Sequence, residues 1–484
     1  MAHHDSRLPR RGFLRTTTAT AAALGGGAAL GRVSRASEAL YTVQDRQVSS
    51  AIHLEPAREV PIVERVDVVV CGGGPAGVSA AIAAARAGAA TRLIDVNGCL
   101  GGVWTAGLLS WILDWQNKTG LMQEFANRLQ QQDAAKVFAD DLAYRPEPMK
   151  LLLEELCAEA GVRVSLHTRV VAAARDGERI GLAITESKSG REAIAGKVFI
   201  DATGDGDLAA QAGCRFDYGH HETGQAQPMS MMAILAGIDP EDVALFTRGL
   251  AEPLGETNPK RRLLEEMRRA GVDPSYHQPT LFYLGRGLFC LMANHEYGVA
   301  PMRAADLTAA TLHSRREVHQ IVDALRQLGG PWKDVDIVAT NEHIGVREGR
   351  RIHGRYRVTR DDLSEGRLHP DAVCRVTFPV DVHSTDPARE KGIARQGVRM
   401  KPYDIPYRAL LASDVQGLLL AGRCISGDFV AHSSYRVTGN AVAVGEAAGT
   451  AAALAAKAGT LPHEVPWPEI AAALEDLRQT RAKG

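Results

Sequence analysis

Between residues 66 and 96 an apolar run, a glycine turn, an alanine-rich stretch and a second apolar run follow one another. The run Val66–Val70 is rich in valine, as expected for a strand buried inside a parallel sheet. A glycine turn follows, then an alanine-rich stretch over Val78–Ala87 that Gly88 ends, which predicts a helix. A second apolar run, Thr91–Val96, predicts the next strand. Together these stretches predict a strand–helix–strand unit of about 30 residues.

The pattern continues with a helix and a group of short strands. Pro146–Gly161 has helical spacing with a glycine at its end. Val162–Ile200 alternates apolar and polar positions in short runs, with turn signals at Asp176-Gly177 and Ser189-Gly190. This segment therefore predicts a β-meander.

The second half of the chain predicts two clear helices and then returns to the opening pattern. The stretches "PKRRLLEEMRRAGV" and "LTAATLHSRREVHQIVDALRQLGG" have amphipathic spacing. Gly417–Gly449 then repeats the order of apolar strand, glycine-rich loop and alanine-rich helix. We therefore expect an α/β fold in which both ends of the chain build one domain and residues 216–400 form an α+β insertion.

The first 39 residues differ from the rest of the chain. Arg10-Arg11, Phe13-Leu14, a weakly apolar run and Ser34-Arg35-Ala36 resemble a twin-arginine export signal. A disordered basic tail is the alternative. The apolar run is too short and glycine-rich for a stable membrane span. Because the twin-arginine translocase carries folded proteins, we expect a periplasmic or extracellular protein that acquires any cofactor before export.

Charge and cysteine content exclude several classes of protein. The net charge of -1 over 484 residues predicts no general attraction to nucleic acid. The seven cysteines are spread singly along the chain without a CxxC pair. They therefore predict neither a disulfide framework nor a zinc or iron–sulfur site.

A glycine motif stands at the turn between the first strand and the first helix. Gly72, Gly74 and Gly77 form G-x-G-x-x-G, and Asp95 lies at the end of the second predicted strand. Such glycines allow a tight turn, close approach of a pyrophosphate and close helix–strand packing. A carboxylate at the end of the strand that follows the glycine motif and its helix can accept hydrogen bonds from ribose hydroxyls. In this context the motif predicts a dinucleotide site rather than a purely structural turn.

Further motifs give a family resemblance over about residues 66–460. In order they are "GGGPAGVSAA", "CLGGVWTAG", "DATGDGDLAAQAG", "IGVREGRRIHGRYRVT", "FPVDVHSTDP", "YDIPYRALL" and "LLLAGRCIS". With them the chain resembles the glutathione-reductase-like flavoproteins with two dinucleotide-binding domains. More specifically, it is similar to FAD-dependent oxidoreductases related to the flavin-containing part of heterodisulfide reductase. The resemblance implies FAD as cofactor and a Rossmann-like domain of parallel sheet plus β-meander.

The resemblance also implies the parts of the chain and the residues that hold FAD. It implies an FAD domain over 66–215 and 401–460 with a substrate or cap domain over 216–400, and outside the resemblance we expect a signal peptide over 1–39, a linker over 40–65 and a C-terminal helix over 461–484. The implied cofactor-binding residues are Gly72, Gly74, Pro75, Ala76, Gly77, Asp95, Gly101, Gly102, Ala202, Thr203, Gly204, Asp205, Gly439, Asn440 and Ala441.

The sequence lacks two features that would define other flavoprotein mechanisms. Cys99 stands alone beside "LGG", so a redox-active dithiol is not expected. No second G-x-G-x-x-G in a strand–helix context provides an NAD(P)H domain. We therefore expect electrons to enter from a small organic substrate and to leave to an acceptor that the sequence does not identify.

Four residues are candidates for the chemistry. His432 and Arg436 in "AHSSYRVTGN" share the His, Arg and Gly-Asn spacing of fumarate reductases and aspartate oxidases, where the arginine binds a substrate carboxylate. The resemblance thus implies that Arg436 anchors the substrate and that His432 handles a proton. The alternative is that His432 packs and Arg436 ties down a loop. His383 is a second candidate base or a structural histidine, and Arg347 is a candidate anion binder or one of a group of solvated arginines.

These expectations combine into an exported FAD-dependent oxidoreductase. The predicted reaction is hydride transfer from a polyol, sugar, hydroxy acid or amino acid to flavin N5. Reduction of an unsaturated acid, a flavin hydroxylase and an electron-transfer protein without its own substrate are the alternatives.

Overall fold

The computed structural model describes residues 53–482. The predicted export signal over residues 1–39 lies outside the described residues. Among the described helices, none is both long enough and apolar enough to cross a membrane. The α-helices in the described residues are α1 (Pro75–Arg86), α2 (Leu121–Gln131), α3 (Pro146–Ala160), α4 (Asp207–Gln211), α5 (Pro259–Arg269), α6 (Ala304–Leu328), α7 (Arg360–Glu365), α8 (Phe429–Tyr435), α9 (Thr438–Ala458) and α10 (Trp467–Ala482).

Within residues 53–482 the strands fall into one large sheet, one five-stranded sheet and three small ones. In chain order they are β1 (Ile62–Cys71), β2 (Thr91–Ile94), β3 (Trp111–Ile112), β4 (Ala135–Phe138), β5 (Asp141–Tyr144), β6 (Arg163–Ser165), β7 (Arg169–Asp176), β8 (Arg179–Ser187), β9 (Gly190–Asp201), β10 (Phe216–Asp217), β11 (Met232–Ala236), β12 (Thr247–Arg248), β13 (Thr280–Gly285), β14 (Leu288–Met292), β15 (Asp336–Thr340), β16 (Arg351–Ile352), β17 (Ala372–Val376), β18 (Tyr403–Pro406) and β19 (Leu418–Leu420).

The large sheet has the order β6-β2-β1-β9-β8-β7, with β19 paired to β9. Strands β6, β2, β1, β9 and β19 run parallel, with Val70 opposite both Leu93 and Ile200, and Leu419 opposite Ile200. Strand β9 pairs with β8 along its first half and with β19 along its second. The predicted α/β class with a parallel sheet is confirmed.

The predicted β-meander is confirmed for β7, β8 and β9, which pair antiparallel in succession. The prediction is wrong for β6, because this strand pairs in parallel with β2 at the edge of the sheet. Strand β6 follows α3 directly, so α3 is a crossover helix between two parallel strands. Three residues carry too little alternation to separate such a strand from the meander that follows.

Helices α1 and α9 pack against each other through small residues. A Cβ atom at Gly445 would lie 2.1 Å from the carbonyl oxygen of Ala76, and one at Gly449 would lie 2.1 Å from that of Ala80. The contacts advance by four residues on both helices, so the two helices run parallel. Their N-termini therefore point toward the same edge of the large sheet.

The five-stranded sheet has the order β12-β13-β14-β11-β15 and its own core. On one face Ala233 and Leu235 of β11 pack with Leu263 of α5 and with Val318 and Ile321 of α6. On the opposite face the alternate residues pack with a different apolar cluster, which contains Met232, Ile234, Phe282, Leu284 and Cys290 together with Trp111. Both amphipathic helices predicted in this region are confirmed.

We predict that Gly445→Ala lowers the free energy of unfolding by about 1–3 kcal/mol, because the new methyl group meets backbone and no rotamer relieves the contact. Thermal or urea unfolding of the purified protein measures this change. Gly181→Ala is the matched control, since a Cβ atom at Gly181 would meet nothing within 4 Å. Equal stability of the two variants would contradict the close contact between α1 and α9.

Candidate active site

A cavity of about 920 Å³ opens where the large sheet meets the five-stranded sheet. The residues that follow β1, β2, β9 and β19 all line it, so the cavity lies at the carboxyl ends of the parallel strands. Ligands bind at this edge in open α/β sheets because strand ends and helix N-termini converge there. Residues of β11, β13 and β14 form the opposite wall.

Most of the predicted cofactor-binding residues line this cavity. Gly77, Gly101, Gly439 and Asn440 are the predicted residues that do not line it. The lining residues are Gly72, Gly74, Pro75, Ala76, Asp95, Gly102, Ala202, Thr203, Gly204, Asp205 and Ala441. The structure thus brings together segments that are more than 300 positions apart in the chain.

The glycine turn before α1 leaves room for a phosphate group. Gly72 has a φ of +103°, and a Cβ atom there would lie 2.3 Å from the carbonyl oxygen of Ala202. A Cβ atom at Gly74 would meet nothing within 4 Å, so the backbone there faces open space. No side chain caps the N-terminus of α1. Its free N–H groups and positive dipole end are therefore available to an anion such as a pyrophosphate.

Two aspartates fix the loops around this turn. The Asp95 carboxylate accepts hydrogen bonds from the N–H groups of Gly73 and Asn97, the latter at 2.7 Å. Asp201 accepts from the Thr203 hydroxyl at 2.7 Å and from the Ala209 N–H at 2.7 Å. Burial raises the pKa of Asp95, and it raises the pKa of Asp201 to about 6. Asp201 was missed from the sequence although it begins the motif "DATGDGD".

The start of α9 provides a second helix N-terminus at the cavity. Thr438 and Ala441 line the cavity, and Asn440 between them is fully buried. Neither amide atom of the Asn440 side chain has a hydrogen-bond partner among the described residues. Buried amides are nearly always paired, so an unpaired one beside a cavity fits a site for a polar ligand. Gly439 instead supports the fold, because a Cβ atom there would lie 2.4 Å from the Asp114 carbonyl oxygen.

Three of the four predicted catalytic residues meet at the cavity. Arg436 donates to the carbonyl oxygens of Arg347 at 3.1 Å and Asp381 at 2.9 Å, and it lies 3.7 Å from the Asp381 carboxylate. Arg347 donates to the Pro228 carbonyl oxygen at 2.7 Å and to the Ser230 hydroxyl at 2.8 Å. Among the described residues Arg347 has no carboxylate partner within ion-pair distance, so its charge is available to a ligand.

His383 belongs to a chain of hydrogen bonds that leads away from the cavity. Its Nε2 atom lies 3.2 Å from the Asp381 carboxylate, and its Nδ1 atom lies 2.9 Å from Nε2 of His295. Nδ1 of His295 lies 3.0 Å from the hydroxyl of Tyr297, which is only half-buried. Because a carboxylate only accepts, neutral His383 donates from Nε2, and its Nδ1 accepts from His295. The chain thus joins the cavity to a partly exposed hydroxyl.

The charges around His383 keep its ring neutral. Burial is the main cause that lowers the pKa of His383 to about 3, and the positive charge of Arg347 is the next. Burial alone would raise the pKa of Asp381, but His383 and Arg436 lower it overall. Burial also lowers the pKa of His295, with Arg347 as the next cause. An anionic carboxylate, that of Asp381, therefore lies beside Arg436 and the neutral imidazole of His383.

The fourth candidate, His432, does not reach the cavity. It lies in α8, is fully buried, and neither ring nitrogen has a partner among the described residues. Burial, followed by the charge of Arg351, lowers its pKa well below the usual value. His432 therefore does not line the cavity together with Arg436, and a proton-transfer role for His432 stays a prediction.

Several residues of the site were missed from the sequence. Asp381 stands two positions before His383, a spacing that places both side chains on one side of an extended segment. His295 and Tyr297 gave no such signal, since the contact of His295 with His383 depends on long-range pairing. Of the tryptophans near the glycine motif, Trp111 lines the cavity and stacks on Phe138, with 5.6 Å between ring centroids.

The chain belongs to a known family. Residues 67–474 match the model of the family described as FAD dependent oxidoreductase. The protein is therefore an FAD-dependent oxidoreductase, and FAD is its cofactor. The cavity fits this cofactor, because the α1 and α9 N-termini and the loops after β1, β2 and β9 line it together.

A comparison with curated protein sequences finds no match. Among solved structures, a geranylgeranyl bacteriochlorophyll reductase-like protein from Thermoplasma acidophilum is 14% identical, with a TM-score of 0.40, and covers 86% of this chain and 84% of its own. The p-nitrophenol 4-monooxygenase of Pseudomonas putida DLL-E4 is 11% identical, with a TM-score of 0.45, and covers 86% and 85%. The flavin-dependent brominase Bmp2 is 12% identical, with a TM-score of 0.42, and covers 85% and 83%. These similarities are too distant to indicate a reaction or a substrate.

We predict that His383→Gln reduces the loss of stability in acid. The folded pKa of His383, about 3, is below the unfolded value of about 6.5, so its contribution is complete above pH 6.5 and is lost as pH falls toward 3. One such proton changes the free energy of unfolding by at most about 1.4 kcal/mol per pH unit. Urea titrations at pH 7 and pH 5 measure the slope. The exposed His319→Gln variant is the control, and a slope equal to that of the wild type for His383→Gln would contradict the prediction.

Proposed function

We propose that this FAD-dependent oxidoreductase removes a hydride from a small organic substrate that carries a carboxylate. Among the predicted substrates, hydroxy acids and amino acids fit best, whereas neutral polyols and sugars lack the anionic group. One observation supports the choice of a substrate with a carboxylate. The Arg347 guanidinium faces the cavity beside Asp381 and His383, yet no carboxylate of the described residues pairs with it.

Two arginines orient the substrate in this proposal. One backbone carbonyl and one hydroxyl hold the guanidinium of Arg347, and two backbone carbonyls hold that of Arg436. Their positions are therefore set before any substrate enters, and little side-chain entropy is lost on binding. A planar guanidinium suits a carboxylate because it donates two parallel hydrogen bonds.

The pair of Asp381 and His383 receives the proton. Bound FAD would supply the hydride acceptor, and the Asp381 carboxylate, to which His383 donates from Nε2, would take the hydroxyl or amine proton. The charge of Arg347 lowers the proton affinity of His383 in the empty site. A substrate carboxylate that neutralises Arg347 removes this contribution, so substrate binding itself raises the proton affinity of His383. In the resting tautomers the hydrogen-bonded chain is directed from His295 to His383 and on to Asp381, so release of the proton toward Tyr297 requires both imidazoles to exchange their N–H hydrogens.

We predict that Arg347→Gln weakens substrate binding by about 10- to 100-fold, the equivalent of a charge-assisted hydrogen bond of about 1.5–3 kcal/mol. The measurement is anaerobic bleaching of the flavin absorbance by 2-hydroxy acids and amino acids, with sugars and polyols as comparison. Arg347→Lys keeps the charge and retains part of the binding, while the exposed Arg399→Gln variant behaves as the wild type. Reoxidation of the reduced flavin by fumarate, with no bleaching by any member of the panel, would contradict the proposed direction.

We also propose export of the folded holoprotein to the periplasm or beyond by the twin-arginine translocase, on the basis of Arg10-Arg11 and the segment that follows. Replacement of both arginines by lysine should retain the full chain, with its flavin, in the cytoplasm. Cell fractionation with the wild type as reference measures the distribution. Equal export of the two proteins would contradict this route.

A further inference from the structure

The wall of the cavity formed by the five-stranded sheet and α5 carries a second group of positive charge. Lys260 and Arg248 both line the cavity there. Arg248 forms an ion pair with Asp141 and lies over the Trp111 ring at 5.5 Å. Lys260 makes no hydrogen bond or ion pair with any described residue. Of the two cations, Lys260 is therefore the one without a direct ion pair, although the more distant carboxylates of Asp381 and Asp141 act on its charge.

Three features of its surroundings make the position of Lys260 unfavourable for a cation. Lys260 follows Pro259 in the first turn of α5, where the helix dipole already has its positive end. It is half-buried, and burial lowers its pKa. Arg248 is the next cause and lowers the pKa further. An anion bound beside Lys260 would offset all three effects.

Strand β13 lies near both Arg347 and Arg248. Arg347 contacts the sulfur of Met292 at 3.6 Å, and Met292 lies opposite Thr280 in the sheet. Arg248 lies opposite Phe282. Thr280 and Phe282 both line the cavity, and alternate residues on one face of a strand are about 7 Å apart. The Asp381 carboxylate acts electrostatically on both Lys260 and Arg347, so both cations lie in its neighbourhood at this cavity.

The space between the two groups suits a carbon chain. Leu109, Trp111, Met232 and Phe282 line the cavity and supply an apolar surface. Four cationic side chains, those of Arg248, Lys260, Arg347 and Arg436, face two carboxylates, those of Asp141 and Asp381, which leaves two positive charges uncompensated. A ligand with one carboxylate would leave one of them without a partner.

We propose that Lys260 forms a second anion subsite and that the substrate of this enzyme is a small organic dianion, with one carboxylate on Arg347 and a second anionic group on Lys260. This proposal rests on the proposed function for the first carboxylate. It specifies the substrate class further, because it excludes monocarboxylic hydroxy and amino acids as the best ligands.

Equilibrium binding of dicarboxylates to the FAD-loaded enzyme tests the proposal without turnover. Malonate, succinate, glutarate and adipate are titrated against propionate, butyrate, pentanoate and hexanoate, and the shift of the visible flavin spectrum reports binding. We expect the best dicarboxylate to bind about 10-fold more tightly than the monocarboxylate of equal chain length, as one additional charge pair of about 1.4 kcal/mol provides. In Lys260→Met this preference disappears while monocarboxylate affinity is unchanged.

Two further variants complete the test. Lys260→Arg keeps the charge and retains the preference for dicarboxylates, and the exposed Lys188→Met variant behaves as the wild type. If dicarboxylates and monocarboxylates bind the wild type equally, or if Lys260→Met keeps the preference, the second subsite is wrong. The proposed function has a separate outcome, because it fails when no hydroxy or amino acid bleaches the flavin, whatever the dicarboxylate affinities are.

Discussion

The contact of two parallel helices through small residues determines where the cofactor can bind. Gly445 and Gly449 of α9 approach the backbone of α1 at Ala76 and Ala80 so closely that neither glycine has room for a side chain. This contact fixes the N-termini of both helices at the carboxyl edge of the large sheet. The unpaired N–H groups of each helix then act on the same cavity. The FAD site thus depends on helix packing between segments that lie far apart in sequence.

Local signals in the sequence predicted the part of the fold that local interactions determine. The strand, glycine turn and helix at Val66–Ala87, and the helices α3, α5 and α6, were found because periodicity and end signals lie within each segment. The parallel pairing of β6 was missed, since a three-residue strand has no distinctive pattern. The strand order of the five-stranded sheet could not be predicted from the sequence either, because the pairing of distant strands leaves no local signal.

In the candidate site, too, residues of one local motif were predicted, whereas the contacts that only tertiary packing makes were not. Gly72, Gly74 and Asp95 were predicted because the spacing of a nucleotide motif lies within one short unit of chain. Arg347, His383 and Arg436 were identified as separate candidates, and the structure brings them together. Lys260 and His295 were missed because each is ordinary in its own segment. Their importance comes from what tertiary packing places beside them, namely Arg248 in one case and His383 in the other.

The hydrogen-bonded chain through His295 has a consequence for the order of events in a catalytic cycle. Tyr297 stands at the partly exposed end of this chain, and Tyr297 and His295 do not line the cavity. A molecule that fills the cavity therefore leaves this second path uncovered. Proton exchange with the surrounding water can then continue while product is still held in place, so the acid–base state of the enzyme resets independently of when the product departs.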